Sequence, residues 1–325
     1  MLSTLWQLAI TAGILIASAA NLGLEKWSNG WRISYGGNIL FSLFLMLALV
    51  FMPESPRWLV AHGKIDEARA SMSRSRYPEE IDDEMEELDK ECRLEQERGV
   101  ASWPEVFAVE NKMRYRLFLG MSLQMVQQLC GINAIMFYAP TILHKFFGSH
   151  QSIVGTFILN AINFLSTFIT IYVVDKSGRA KLLVIGGVIM MFALIANSIL
   201  SSVHQSQTVG YLVVLFAAIF IVGFASSWGP VVWTTCAELF PLRERGKATG
   251  LTTMSNWFWT TIVGAVFPIA STASLTGCFG FFAGVIFAGS LMVYFLMAET
   301  ARKTILQIDE DYRNWKPQLI RKTWA

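Results

Sequence analysis

The chain has 325 residues, of which 54% are hydrophobic and only 15% are charged, and its formal net charge is +2. Soluble domains carry about 25% charged residues, so this composition argues against a cytosolic enzyme, and the near-zero net charge gives no reason to expect nucleic-acid binding. The four cysteines form no C-x-x-C pair, and the four histidines form no H-x-x-x-H pair. This spacing argues against a disulfide framework and against a metal centre.

Eight stretches are predicted to be membrane-spanning helices, because about 20 mostly apolar residues cross the hydrocarbon core of a bilayer. In chain order they are 4–22, 33–52, 117–143, 153–174, 182–202, 209–237, 249–270 and 276–297. None of the eight contains Asp, Glu, Lys or Arg. The sequence therefore predicts an all-α protein that passes through the membrane several times.

Lysines and arginines concentrate on one side of these spans. Of the 26 in the chain, 23 fall in the segments 53–116, 175–181, 238–248 and 298–325. The opposite side carries only Lys26, Arg32 and Lys145. Because positively charged loops stay in the cytoplasm, both termini and the long 53–116 segment are predicted to be cytoplasmic.

The 53–116 segment is the part of the chain that resembles a soluble protein. Ile81, Met85, Leu88 and Cys92 recur at helical spacing, which predicts the apolar face of an amphipathic helix, and the opposite face is acidic. We expect a solvated helix that lies against the membrane-embedded part, with a regulatory binding surface as the alternative. The segment is too short for a catalytic domain with a core of its own.

A six-residue pattern occurs twice, at the cytoplasmic ends of the second and eighth spans. Residues 52–57 read M-P-E-S-P-R and residues 297–302 read M-A-E-T-A-R. Parallel repeats of this kind are typical of transporters built from two membrane halves. Six spans follow the first copy and two precede it. The predicted domains are the last two helices of a first half (1–52), a cytoplasmic helical linker (53–116), a complete six-helix second half (117–297) and a cytoplasmic tail (298–325).

The third span carries the most informative polar residues. Gln124, Gln127, Gln128 and Gly131 share a helix face, whereas Asn133 would lie about 120–140° away from the paired glutamines on a straight helix. The amides can converge on one ligand only if the helix breaks, and Gly131 is the residue at which a break costs least. Discontinuous helices are typical of transporter binding sites.

A second break is predicted in the sixth span, at Gly229-Pro230, because proline lacks a backbone donor. Trp233 follows about one turn later and offers a large aromatic face. Amides that donate and accept, together with an aromatic face, suit a neutral ligand rich in hydroxyl groups. A charged ligand would need a buried opposite charge, and Glu238 lies only at the cytoplasmic end of its helix.

These motifs closely resemble those of the sugar porter family of the major facilitator superfamily, in particular fungal-type hexose transporters. The resemblance covers essentially the whole chain. It rests on P-E-S-P-R-W at 53–58, Q-Q-L-C-G-I-N at 127–133, D-K-S-G-R at 175–179, the W-G-P to Glu segment at 228–238 and S-N-W at 255–257. It implies the major facilitator fold, with eight of an expected twelve transmembrane helices present and the first four missing.

The resemblance also implies roles for individual residues. The positions that contact the sugar or line its cavity are Gln7, Gln127, Gln128, Asn133, Asn163, Trp233 and Asn256. The predicted helix breaks are Gly131, Gly229 and Pro230. The cytoplasmic charge network that holds the two halves together in the outward-facing state corresponds to Glu54, Arg57, Asp175, Arg179, Glu238 and Arg245. The family's Pro-Glu-Thr-Lys-Gly ending reads A-E-T-A-R at 298–302 here, which predicts a weaker contact there.

We therefore expect a multi-pass protein of the plasma membrane that carries a hexose such as glucose by alternating access. Facilitated diffusion is the first choice over proton symport, and an acid for proton coupling would lie in the missing helices. No cofactor, metal or catalytic residue is expected. The expected partners are the sugar and the lipid bilayer, and no oligomer is required.

Two alternatives stay open at this point. The chain could be a transporter-like sugar sensor, or a non-functional truncated fragment of a sugar transporter. An intramembrane enzyme is disfavoured, because the spans contain no Ser/His pair, paired aspartates or metal-ligand set.

Overall fold

The computed structural model describes residues 2–99, 101–204, 206–241 and 243–315. Within these ranges the chain is helical, with short turns and loops between the helices. The α-helices are α1 (Leu2–Leu24), α2 (Gly30–Phe51), α3 (Pro56–Ala61), α4 (Ile65–Met72), α5 (Ile81–Arg98), α6 (Trp103–Val106), α7 (Met113–Leu129), α8 (Ile132–Leu143), α9 (Ser149–Ser177), α10 (Arg179–Ser202), α11 (Gln207–Gly223), α12 (Gly229–Glu238), α13 (Arg245–Ala273), α14 (Leu275–Leu296) and α15 (Ile305–Asn314).

Seven candidate spans within the described residues are long and apolar enough to cross a membrane. Helices α7 and α8 belong to one of them, and α11 and α12 to another. Helix α13 has 29 residues and is also long enough, but its threonines and Asn256 make it less apolar than these seven. Seven of the eight predicted spans are thus recognisable by composition. The remaining one, 249–270, lies in α13, the long helix that carries Asn256.

The chain forms two compact units. The larger unit comprises Met1–Gly30 and Trp103–Ala325. Helix α10 packs along α14 in this unit, α7 packs along α13, and α1 packs along α9. Trp228, Phe220 and Phe240 are among the fully buried side chains of its apolar core. The packing brings the amides of α7 and α13 together beside the backbone at the start of α12, and this is where the candidate site lies.

The smaller unit comprises Trp31–Ser102 and contains the linker helices α3, α4 and α5. The apolar face predicted for α5 is the packed one, since Ile81, Met85 and Cys92 are buried and Leu88 packs against them. Their neighbours are residues of α3 and α4, such as Leu59 and Met72. The expectation of a single solvated helix missed this small core, because the short α3 and α4 carry little periodic signal.

Candidate functional site

Helix α7 is broken from α8 at Gly131. Helix α7 ends at Leu129, α8 begins at Ile132, and Gly131 has a φ of 90°. This left-handed conformation is open to glycine and strained for other residues. A Cβ atom on Gly131 would also collide with the ring of Phe282 on α14. Backbone geometry and packing therefore both require glycine at the break.

The break brings Gln128 and Asn133 together. The Asn133 Nδ2 group donates a hydrogen bond to Gln128 Oε1 at 2.5 Å. On a straight helix these two side chains would point in directions more than 100° apart. The structure thus gives the two amides the neighbouring positions that a shared ligand needs.

Five carboxamides of α7, α8 and α13 form one hydrogen-bonded group, which we name the amide cluster: Gln124, Gln127, Gln128, Asn133 and Asn256. Asn256 is its centre. Its Nδ2 group donates to Gln124 Oε1 at 2.6 Å and to Gln127 Oε1 at 2.7 Å. Its Oδ1 atom accepts from Gln128 Nε2 at 3.0 Å. A side chain of α13 therefore sets the orientation of three glutamines on α7.

A second break separates α11 from α12. Residues Phe224–Trp228 form a π-helical turn, in which the Gly229 N–H donates to the Phe224 carbonyl, and Pro230 follows in the first turn of α12. Gln127 Nε2 donates to the carbonyl oxygens of Trp228 at 2.7 Å and Gly229 at 2.8 Å. Gln127 thus links the backbone of the second break directly to α7.

Burial divides the amide cluster into an inner and an outer end. Gln124, Gln127 and Asn256 are at most 2% exposed, whereas Gln128 is 8% exposed and Asn133 is half-buried. Both N–H hydrogens of Gln127 and of Asn256 have partners. Gln128 and Asn133 each donate one of two N–H hydrogens. Gln124 Nε2 also has no hydrogen-bond partner, but it is fully buried. The free donors that a further molecule can reach therefore lie at the outer end.

Three of the predicted sugar-contact residues lie elsewhere in the larger unit. Gln7 is half-buried on α1, Asn163 is buried on α9, and Trp233 is half-buried on α12. Within the described part of the chain, no hydrogen bond links them to the amide cluster, and Asn163 Oδ1 is buried without a partner. Helices α1 and α9 meet one turn further on, where Thr167 Oγ1 lies 3.5 Å from Thr11 Oγ1. Gln7 and Asn163 thus lie on facing helices.

Part of the predicted cytoplasmic charge network is formed within the larger unit. Arg179 Nη2 lies 3.1 Å from Glu238 Oε1, and Glu238 Oε2 accepts from Thr300 Oγ1 at 2.8 Å. Arg245 donates to the Phe240 carbonyl at 3.5 Å. Burial lowers the pKa of Arg245, and the negative charge of Glu238 opposes this effect. Glu238 thus interacts with Arg179 and Arg245, two of the three predicted arginines.

The remaining members of the predicted network have no described role in it. Asp175 lies in α9, but its side chain falls outside the described residues. Glu54 and Arg57 belong to the smaller unit. There, Glu54 Oε1 accepts from the N–H of Ser55 at 3.1 Å.

Sequence reasoning missed the role of Glu299. Its carboxylate accepts from the backbone N–H groups of Arg179 at 2.8 Å and Ala180 at 3.1 Å, at the N-terminus of α10. A carboxylate is favoured there, because the first N–H groups of a helix lack partners and carry partial positive charge. Gly178, with a φ of 83°, has no Cβ, and such an atom would lie 2.7 Å from Glu299 Oε2. Glu299 belongs to the second copy of the six-residue repeat, at 297–302, and this repeat is the sequence signal that could have identified it.

Sequence reasoning also missed a buried ion pair at the start of α7. The side chain of Arg116 is 1% exposed, and its Nη2 atom lies 2.7 Å from Asp309 Oδ1 on α15. The guanidinium also donates to the Leu239 carbonyl at 3.3 Å and lies 5.3 Å from the ring centre of Tyr312. Arg116 directly precedes the third predicted span, and its position in the sequence indicates only a loop cation. The structure shows that it attaches α15 to α7.

Comparison with known proteins identifies the family of the chain. A family model described as "Sugar (and other) transporter" matches residues 1–312. Hexose transporter HXT10 of Saccharomyces cerevisiae is 32% identical over 335 residues, which cover 96% of this chain and 60% of that protein. Hexose transporter 2 of Kluyveromyces lactis is 33% identical, with 95% and 57% covered. The chain thus spans about 60% of the length of these curated relatives.

The fold matches that of a solved transporter. The proton:xylose symporter XylE of the major facilitator superfamily, bound to 6-bromo-6-deoxy-D-glucose, superposes with a TM-score of 0.76 at 24% identity. The match covers 96% of this chain and 66% of that one. The all-α membrane fold and the family that the motifs indicated are both confirmed. The chain, a multi-pass membrane protein with the major facilitator fold, belongs to the sugar (and other) transporter family.

Proposed function

We propose that the chain carries a monosaccharide, a hexose such as glucose, across the plasma membrane by alternating access. The observation that carries this proposal is the amide cluster, whose less buried end keeps free N–H hydrogens on Gln128 and Asn133. Relatives that are named hexose transporters support the substrate class. Because the chain spans only part of their length, its activity has to be tested on the chain itself.

Hydroxyl groups of a sugar each donate and accept, which matches the remaining capacity of Gln128 and Asn133. Each of the two keeps one N–H hydrogen beyond the bonds described above. Their neighbouring amides can engage two adjacent hydroxyls of one ring. No Asp, Glu, Lys or Arg falls in the eight predicted spans, so the site favours a neutral ligand. Gln7, Asn163 and Trp233 are proposed to complete the contacts from α1, α9 and α12.

Transport requires that the site opens to each side in turn, and the two helix breaks are the places where this bending is proposed to occur. Gln127 lies next to the first break and bonds to the backbone of the second, so a change in backbone conformation at one break alters the contacts of the other. The Arg179–Glu238 pair closes the cytoplasmic side, with both termini and the 53–116 linker in the cytoplasm. We propose facilitated diffusion, because the eight predicted spans contain no Asp, Glu or His side chain that could carry a proton.

Binding and counterflow of labelled glucose, with the chain reconstituted in lipid vesicles, test the proposal. We expect saturable binding and accelerated counterflow that are lost in Gln128→Ala. Thr261→Ala is the matched control, since this exposed hydroxyl bonds only within its own helix, to the Trp257 carbonyl. Absence of glucose binding, or binding that Gln128→Ala leaves intact, would contradict the proposal. Rescue of growth in a transport-deficient cell separates transport from sensing.

A further inference from the structure

One acidic residue is set apart from all the others by its place in the chain. Of the 24 acidic residues, Glu25 alone falls outside the segments predicted to be cytoplasmic. It follows α1, which contains no charged residue, and it lies on the predicted non-cytoplasmic side, which we call the outer side. Glu25 is therefore the only negative side chain with which a cation of this chain can pair there.

The carboxylate of Glu25 contacts a histidine of α9. Glu25 Oε2 lies 2.7 Å from His150 Nδ1, which is within hydrogen-bond distance. The Glu25 side chain is 17% exposed and that of His150 is 62% exposed, so the imidazole is open to protons from the solvent. Helix α1 ends and α9 begins at this point, and the two helices pack along each other. The contact therefore joins their outer ends.

The strength of this contact depends on the charge of His150. A histidine changes its charge between about pH 5 and 8, where a glutamate is ionised. A protonated imidazole forms a charge-assisted hydrogen bond with a carboxylate, which is stronger than the bond of a neutral one. His150 lies in the first turn of α9, where the partial positive charge of the helix opposes a further positive charge. The contact is therefore strongest in acid and weakens as the pH rises through this range.

The other charged or titratable groups near this end of α9 are all cations or histidines. They follow Glu25, follow α8 or precede α11, the elements that pack against α9, and their side chains are exposed: Lys26, His144, Lys145 and His204. None of them carries a negative charge at any pH. Glu25 is thus the only group on these elements that can hold a protonated His150 by charge.

We propose that the His150–Glu25 pair is a proton-sensitive contact between the two transporter halves on the outer side. Helix α1 belongs to the predicted first half and α9 to the predicted second half. Under alternating access, the outer ends of these helices separate whenever the site opens outward. Protonation of His150 favours the closed contact, and loss of the proton weakens it. The inference rests on the proposed alternating access but not on the identity of the sugar.

Pulsed electron paramagnetic resonance between two spin labels measures the opening directly. The labels are attached to Ser28→Cys, just after Glu25, and to Thr208→Cys in α11, which packs against α9. Both positions are exposed, whereas the four native cysteines are buried. The chain is reconstituted in lipid bilayers at about pH 5.5 and about pH 8. We expect the ratio of short to long distances to be about two- to fivefold higher at the lower pH, the range for an exposed ion pair.

Variants of His150 separate its charge from its size. His150→Gln should give the high-pH distances at both pH values, because it stays neutral. His150→Lys stays charged throughout this range and should give the low-pH distances at both. His144→Gln is the matched control, since it replaces another exposed histidine on the same side, and it should keep the pH dependence. Glu25→Gln should abolish it.

A distance ratio in the labelled chain that is the same at both pH values would overturn the proposal. So would a pH dependence that survives in Glu25→Gln or in His150→Gln. These measurements need no glucose, so they are decided separately from the proposed function, whose failure would appear as absent glucose binding. In counterflow, acidification of the outer solution should slow exchange by the native chain and leave exchange by His150→Gln unchanged.

Discussion

The side-chain nitrogen of Gln127 lies 2.7 Å from the carbonyl oxygen of Trp228. Together with the hydrogen bond from the same nitrogen to the Gly229 carbonyl, this contact connects the two helix breaks, because Gln127 lies in the last turn of α7 and Trp228 ends the π-helical turn before α12. The neighbouring Gln128 makes no such contact and faces the less buried end of the amide cluster. The two adjacent glutamines therefore differ in role: Gln127 bonds to the backbone of the second break, and Gln128 faces the end of the cluster that a ligand can reach.

Gln127→Leu should lower the stability of the chain more than Gln128→Leu does. The first change removes two hydrogen bonds to backbone carbonyls and leaves one Asn256 N–H without its acceptor, at a cost of about 1–3 kcal/mol. The second should mainly remove glucose binding. Thermal melting with and without glucose measures both effects. Equal melting temperatures for the two variants would show that Gln127 is not a structural link.

Gly131→Ala should destabilise the chain by at least about 1–2 kcal/mol, the cost of left-handed backbone for an L-residue. The collision of its methyl group with the Phe282 ring adds to this cost. Gly264→Ala is the control, since it lies within α13 in open space and should stabilise the helix by about 0.5–1 kcal/mol. Opposite signs of the two shifts in melting temperature are expected. A neutral Gly131→Ala would argue against the break.

Glu299→Ala should destabilise the N-terminus of α10 by about 1–2 kcal/mol, because its first two N–H groups lose a charged acceptor. Glu299→Gln keeps an acceptor oxygen and should lose less. Hydrogen exchange of the amides in the first turn of α10 measures the effect locally, with the exposed Glu310→Ala as the control. Unchanged exchange of the Arg179 and Ala180 amides in Glu299→Ala would refute this assignment.

Arg116→Met should cost about 3–5 kcal/mol, because it leaves the partly buried Asp309 carboxylate without its closest cation. Asp309 keeps a second partner in Arg313, at 2.8 Å, which places the expected loss toward the lower value. The double variant Arg116→Met, Asp309→Leu should recover much of the stability, since apolar replacement of a buried pair is often neutral. The detachment of α15 from α7 is measured by limited proteolysis, which should cleave α15 faster in the single variant. A double variant as unstable as Arg116→Met would contradict this account.

Much of the site could be predicted from sequence, because its signals are local. The glycine at 131 sits between amides whose spacing fits no straight helix, and Gly229-Pro230 removes a donor within an apolar run. The α5 face could be read from the spacing of Ile81, Met85 and Cys92 for the same reason. Each of these features is encoded within about one or two turns of helix.

Contacts between distant segments could not be predicted in this way. The hydrogen bonds of Asn256 to three glutamines depend on how α13 packs along α7. The partner of Arg116 lies near the end of the chain, and nothing in the residues around Arg116 points to it. That both side-chain N–H hydrogens of Gln127 already have acceptors depends on the positions of two distant carbonyl oxygens. Packing, which no local pattern contains, decides which amides remain available to a ligand.

The carboxylate of Glu299 has a consequence for how the chain is made. Glu299 lies 120 residues after Arg179, whose N–H it accepts, and so emerges from the ribosome long after α10 has been synthesised. Asp309 likewise follows Arg116 by 193 residues. Until then, water or other groups must satisfy the first turn of α10 and the guanidinium of Arg116. These contacts of α10 and α7 are therefore completed only after Glu299 and Asp309 have been synthesised and have folded back onto the earlier helices, so they form late in biogenesis.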